Sequence, residues 1–95
     1  MRALTLLTMM LTSPMLLAED YSCSNGSAVR TIEVIYEVQG SPVPCVVSYK
    51  KESEGTVEFP WQADNQLDYC EEKAAYLAGR LGQFGWYCER ASHQE

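Results

Sequence analysis

The chain is poor in histidine and in positive charge. Its only histidine, His93, stands third from the end of 95 residues. A catalytic histidine has to be oriented by a further group, and a chain terminus that frays holds nothing in place. His93 reads as a solvated tail residue. Seven Lys and Arg face 13 Asp and Glu, a formal charge of −6. Nucleic-acid affinity comes mainly from neutralising phosphates with Lys and Arg, so DNA, RNA and anionic membranes are poor partners. A basic partner is compatible with this charge, although net negative charge is also an ordinary means of staying soluble. No Gly-rich phosphate loop, nucleophile elbow or metal-ligand helix pattern occurs. Internal repeats and linkers are also lacking.

Carboxylates are plentiful, as in Glu33 and Glu37, Glu52 and Glu54, and Glu71 and Glu72. A glycosidase needs two of them across a cleft, one with its pKa raised by an apolar setting. A chain this short has little room for such a cleft, and these pairs read as solvated faces. No catalytic residue, cofactor or metal is expected.

The first residues read as a targeting segment. Met1-Arg2 is a short positive start, Ala3 to Leu11 is apolar apart from Thr5 and Thr8, and Ala18 offers a small residue before Glu19-Asp20. That is the pattern of a signal peptide over residues 1–18. A membrane span needs about 20 apolar residues, and this run stops short. Glu19 to Ser22 before the first cysteine does not suit lipid anchoring. The expected product is periplasmic or secreted. Residues 19–95 would form one small domain carrying 6 basic and 13 acidic residues, a charge of 6 − 13 = −7. Domains of this size are marginal without covalent help.

Periodicity supplies the fold. Ile32, Val34, Tyr36 and Val38 share one face of a strand over Val29 to Val38, as in a half-buried sheet. Gln39 to Pro42 is turn chemistry. Cys45, Val47 and Tyr49 share a face of a second strand over Val43 to Lys51, with Pro44 at its start. Glu52 to Gly55 turns the chain into a short third strand, Thr56 to Trp61, which Pro60 marks as an edge or a terminus. The period then becomes helical: Leu67, Cys70, Ala74, Leu77, Ala78, Leu81 and Phe84 share one arc. Asp64 or Asn65 suits the N-cap, and Gly82 or Gly85 the stop. Trp86 to Cys88 runs extended before a polar tail, Glu89 to Glu95. The expected fold is α+β: a small antiparallel three-stranded sheet, β-β-β-α, packed by one C-terminal helix.

Four cysteines, Cys23, Cys45, Cys70 and Cys88, admit three disulfide pairings. Zinc sites favour closely spaced pairs, and the gaps here run from 18 to 25 positions. In a three-stranded meander the helix starts near Cys45 and ends near the beginning of the first strand. Cys45 then meets Cys70, and Cys23 meets Cys88. Cys23–Cys45 would have to join opposite ends of one strand, roughly 25–30 Å apart at about 3.3 Å per residue. A chain folding back along the helix could still bring Cys88 to Cys70. By loop-closure entropy the two expected bridges contribute roughly 3.5 and 4 kcal/mol, comparable to the whole stability of such a domain.

Two surfaces could bind a partner. Tyr69, Lys73, Tyr76 and Arg80 form a helical stripe of aromatic and cationic groups suited to cation–π pairing and protein contact. The plainer alternative is that the tyrosines cover the sheet edge. Ala75, Gly79 and Gly82 form a small-residue face, which the returning Trp86-Tyr87 segment or a second copy of the helix could approach. A monomer or weak homodimer follows. Trp61 and Trp86 read as caps on the core. Asn25-Gly26-Ser27 is both a glycosylation sequon and a turn signal.

Val43 to Lys50, Tyr69-Cys70-Glu71-Glu72-Lys73-Ala74 and Gly85-Trp86-Tyr87-Cys88 resemble small uncharacterised periplasmic proteins of Gram-negative bacteria. That resemblance implies export and a fold of this size, not an activity. Tyr21-Ser22-Cys23-Ser24-Asn25-Gly26 resembles the opening of periplasmic inhibitors of c-type lysozyme. Those proteins are small, β-rich and disulfide-bonded, and insert a loop containing Ser, Gly and Tyr into a basic enzyme. Here Ser53-Glu54-Gly55 lacks the tyrosine, and the chain turns helical. The expectation is a non-catalytic exported binding or envelope-associated module, with an inhibitor of a basic hydrolase as the alternative and a small enzyme more distant.

Overall fold

The computed structural model describes residues 20–91. The expected signal peptide and His93 lie outside them. Five strands and one helix follow in the order β1 (Asp20–Asn25), β2 (Ala28–Tyr36), β3 (Cys45–Lys51), β4 (Thr56–Ala63), α1 (Tyr69–Gln83) and β5 (Tyr87–Ala91). They build one sheet in the order β4-β3-β2-β1-β5, with every neighbouring pair antiparallel. The chain forms a four-stranded meander, crosses the sheet as α1, and returns at the far edge as β5.

The sheet therefore has five strands, not the three that alternation of apolar residues suggests. β1 and β5 are the additions. Their segments, Asp-Tyr-Ser-Cys-Ser-Asn and Tyr-Cys-Glu-Arg-Ala, are short and largely polar. Little in their local pattern calls for a strand. Pairing makes them strands: β1 joins β2 through a two-residue turn in which Gly26 takes the positive φ of 65° that such hairpins need. β5 then pairs along β1 with Cys23 opposite Cys88. Glu89 to Ala91, expected in a polar tail, belong to this edge strand.

The core lies between the sheet and α1. Ile32 and Val34 of β2, Cys45, Val47 and Tyr49 of β3, and Ala63 of β4 are buried against Cys70, Ala74, Ala78 and Leu81 of α1. The alternation expected for β2 and β3 holds for Ile32, Val34 and Tyr36 and for Cys45, Val47 and Tyr49, but β2 ends at Tyr36 and Val38, expected on its buried face, lies beyond it and is exposed. Between Val47↔Trp61 and Tyr49↔Glu58 the register shifts, so Ser48 faces both Phe59 and Pro60. Proline is tolerated in such a bulge on an edge strand, where its missing donor is not needed.

The helix is shorter than its apolar arc. It starts after Asp68, an N-cap with φ 66° and no side-chain cap bond, rather than at Asp64 or Asn65. Leu67 therefore precedes the helix, and Phe84 follows its last turn. Both leave the wheel and are exposed. Gly85, at φ 94°, ends α1, and the Trp86 and Gly85 amides donate to the Leu81 and Gly82 carbonyls. That is a Schellman-type close.

Two disulfides fasten this frame: Cys45 to Cys70, and Cys23 to Cys88. The first ties the start of β3 to the first turn of α1. The second joins neighbouring strands near opposite ends of the sequence.

Gly79 is exposed, and a Cβ built there would meet nothing within 4 Å. The Trp86-Tyr87 segment does not approach it closely. Gly79→Ala is expected to raise stability by about 0.5–1 kcal/mol, because alanine is the better helix former. An upward shift of the thermal midpoint checks this; a downward shift would reveal a contact at that face.

Candidate functional site

The candidate partner stripe lies on the flank of α1 that borders β4. Residues three and four apart on a helix are neighbours, which puts Tyr69 and Tyr76 on either side of Lys73. The β3–β4 register places Trp61 beside Val47, on the face that α1 covers. The Lys73 ammonium consequently stands 5.5 Å from the Trp61 ring, 5.6 Å from Tyr69 and 5.5 Å from Tyr76. Trp61 and Tyr76 meet edge to face, 6.2 Å between centroids at 83°, the geometry aromatic quadrupoles favour. Three of the four stripe residues thus come together, with Trp61 as a fourth member. Trp61 is half-buried.

Arg80 does not join this box. Its guanidinium lies over the Phe84 ring, 5.2 Å from the centroid. Phe84, expected in the core, is 65% exposed and Tyr76 is 54% exposed. The stripe is therefore an open band with two cation–aromatic units. Helical spacing alone shows the tyrosines around Lys73. Trp61 becomes visible only once β4 is set beside α1.

A second aromatic–cation cluster closes the other end of the same sheet face. Arg30 stacks on Trp86, 4.4 Å from its centroid, and donates to the Tyr49 hydroxyl at 2.7 Å. Glu54 approaches Arg30 at 3.8 Å, and Glu58 approaches Lys51 at 3.7 Å. Lys51 also lies 5.5 Å from the Tyr49 ring. These charges are matched inside the protein, and Trp86 caps the core as expected.

Glu52 accepts from the Thr31 hydroxyl at 2.8 Å, and Glu71 accepts from the Tyr36 hydroxyl. The second Glu71 oxygen, Oε1, is buried without a hydrogen-bond donor. A depression of about 470 Å³ in the β2–β3 connection is lined by Tyr36, Glu37, Gln39, Gly40 and Ser41. Among the described residues, no group of three or more His, Cys, Asp or Glu could hold a metal ion, and no helix is long and apolar enough to cross a membrane.

The uncovered face of the sheet is mixed. Ile35 lies beside Val46 and Lys50 beside Val57, with Thr31 and Glu33 between the apolar positions. Ile35 and Val57 are exposed. An antiparallel sheet with one solvated face has this composition.

Compared with protein-family models, curated proteins and solved structures, the chain matches none.

The Tyr36–Glu71 pair ties β2 to the first turn of α1, so its loss should be felt in stability. Tyr36→Phe removes a donor from a carboxylate that already has one unsatisfied oxygen, at an expected cost of about 1–3 kcal/mol. Adding Glu71→Leu should return part of that loss, since removing both partners leaves no buried acceptor. Urea unfolding of the single and double variants measures both; an unchanged midpoint for Tyr36→Phe would contradict the role given to this bond.

Proposed function

We propose that this protein is a non-catalytic binding module of an exported, oxidising compartment, and that it meets its partner through the aromatic–cation band of α1 and β4. One observation carries the reading: Trp61, Tyr69, Lys73, Tyr76, Arg80 and Phe84 form a band in which the Tyr76 and Phe84 rings remain open to solvent while Trp61 and Tyr69 are half-buried. Aromatic residues and arginine are the groups that interfaces concentrate, and they contribute most where neighbouring contacts exclude water. Two closed disulfides fit an oxidising compartment.

The alternative of an inhibitor that inserts a loop into a basic hydrolase finds less support. The turn holding Ser53, Glu54 and Gly55 is drawn back onto the sheet. The Ser53 hydroxyl accepts from the Val29 amide at 3.3 Å, and Glu54 lies against Arg30.

Capture of envelope proteins by the disulfide-bonded protein, beside Tyr76→Ala and Arg80→Ala variants, tests the proposal. A specific partner should be held by the unaltered protein and lost with Tyr76→Ala, which should remain folded, its thermal midpoint lowered only by the loss of the edge-to-face contact with Trp61, about 0.5–1.5 kcal/mol. Capture indifferent to both variants would overturn the assignment of this surface. Inhibition of lysozyme at low salt would replace the proposal with the inhibitor reading.

A further inference from the structure

The band holds two of the three cations that lack an ion pair among the described residues, the third being Lys50 on the uncovered face of the sheet. Acidic residues outnumber basic ones 13 to 7, so a cation has many carboxylates to pair with. Arg30 and Lys51 do pair, with Glu54 and Glu58. Lys73 and Arg80 do not: neither has a carboxylate within ion-pair reach among the described residues, and their contacts there are with aromatic rings. An ammonium carries three N–H donors and accepts nothing. Those of Lys73 meet no acceptor among the described residues, while three rings stand around it.

Aromatic faces attract a cation but offer its N–H groups no strong acceptor. A carboxylate arriving at Lys73 would supply that acceptor beside low-dielectric walls, where a charge-assisted hydrogen bond is stronger than in open water. Arg80 follows seven residues later, almost on the same line of the helix surface. At about 1.5 Å per residue the backbone positions of the two residues stand about 10.5 Å apart along the axis.

Resting on the reading of this band as a binding face, the geometry points to a two-pronged carboxylate site: Lys73 in its box of Trp61, Tyr69 and Tyr76, with Arg80 over Phe84 beyond it, receives an acidic segment of a partner protein. The segment presents two carboxylates about 10 Å apart, the separation of residues seven apart on a helix. Lys73 supplies a charge flanked by three rings. Arg80, more exposed and able to donate in two parallel bonds, sets the register. The rings beside each cation receive the apolar stems of the acidic side chains. The net negative charge of the chain works against acidic chains in general, so binding depends on the two cations of this band.

The probe is an alanine-rich helical peptide with two glutamates seven residues apart, and its counterpart with glutamine at both positions. Labelled peptide is titrated with the disulfide-bonded protein and followed by fluorescence anisotropy, while the Trp61 indole N–H is followed by NMR. The glutamate peptide should bind saturably, shift the Trp61 signal and weaken as salt rises. Lys73→Met, which keeps the apolar stem, should weaken binding by about tenfold, the size of one charge-assisted contact. Lys73→Arg should retain most of it, and the glutamine peptide should not bind.

Failure of the glutamate peptide to saturate, equal binding by Lys73→Met, or equal binding of the glutamine peptide would each overturn the carboxylate assignment. If Tyr76→Ala still abolishes partner capture in those cases, the band remains the binding face and only its chemistry is wrong. If capture ignores Tyr76, the reading of the face itself falls.

Discussion

The Cys45–Cys70 bridge fixes the first turn of α1 to the start of β3, and the Cys23–Cys88 bridge fixes the strand that follows α1 to β1. The helix crosses from one edge of the sheet to the other, so its two ends are the places where such a crossing would come loose. Each bridge acts beside one of them. The apolar core beneath is small, and its fully buried side chains include Cys23, Cys45 and Cys70 beside Ile32 and Val47. The helix contributes mostly alanine and leucine to it. A core with so little large apolar volume cannot supply much transfer free energy. The bridges supply the remainder chiefly by restricting the unfolded chain.

Holding α1 in this way decides which of its flanks is free. Cys70, Ala74, Ala78 and Leu81 are committed to the sheet. The neighbouring flank, bearing Tyr69, Lys73, Tyr76 and Arg80, falls along β4 and takes Trp61 as its inner wall. Covalent fixing at Cys70, one turn from Lys73, keeps that wall and the helix in register. The backbone that carries the band is thereby fastened to the sheet, and a fastened backbone loses little conformational entropy when a partner docks.

Residues with strong alternation could be read directly. Ile32 and Val34, or Cys45, Val47 and Tyr49, give β2 and β3 away because every second side chain is apolar, and the change to helical spacing after Leu67 marks α1. β1 and β5 could not be read, because the inward face of Tyr21-Ser22-Cys23-Ser24 is only Tyr21 and Cys23, and Tyr87-Cys88-Glu89-Arg90 is largely polar and exposed. Their strand character comes from pairing with each other and with β2, and such partners lie far away in the chain. The box around Lys73 was half legible for a similar reason. Tyr69 and Tyr76 are helical neighbours of Lys73, whereas Trp61 arrives from β4. Phe84 was misplaced because a helical wheel does not show where a helix ends, and Gly85 ends this one just beyond it.

The dependence of the whole arrangement on its two bridges is open to one direct measurement. Equilibrium urea unfolding can be followed by far-ultraviolet circular dichroism on the oxidised protein and on the same protein held reduced. The account predicts a cooperative transition when oxidised and a chain already largely unfolded without urea when reduced, since the bridges together contribute roughly 7–8 kcal/mol by loop-closure entropy. A reduced protein that unfolded cooperatively at nearly the same urea concentration would contradict it, and would assign the stability to the core.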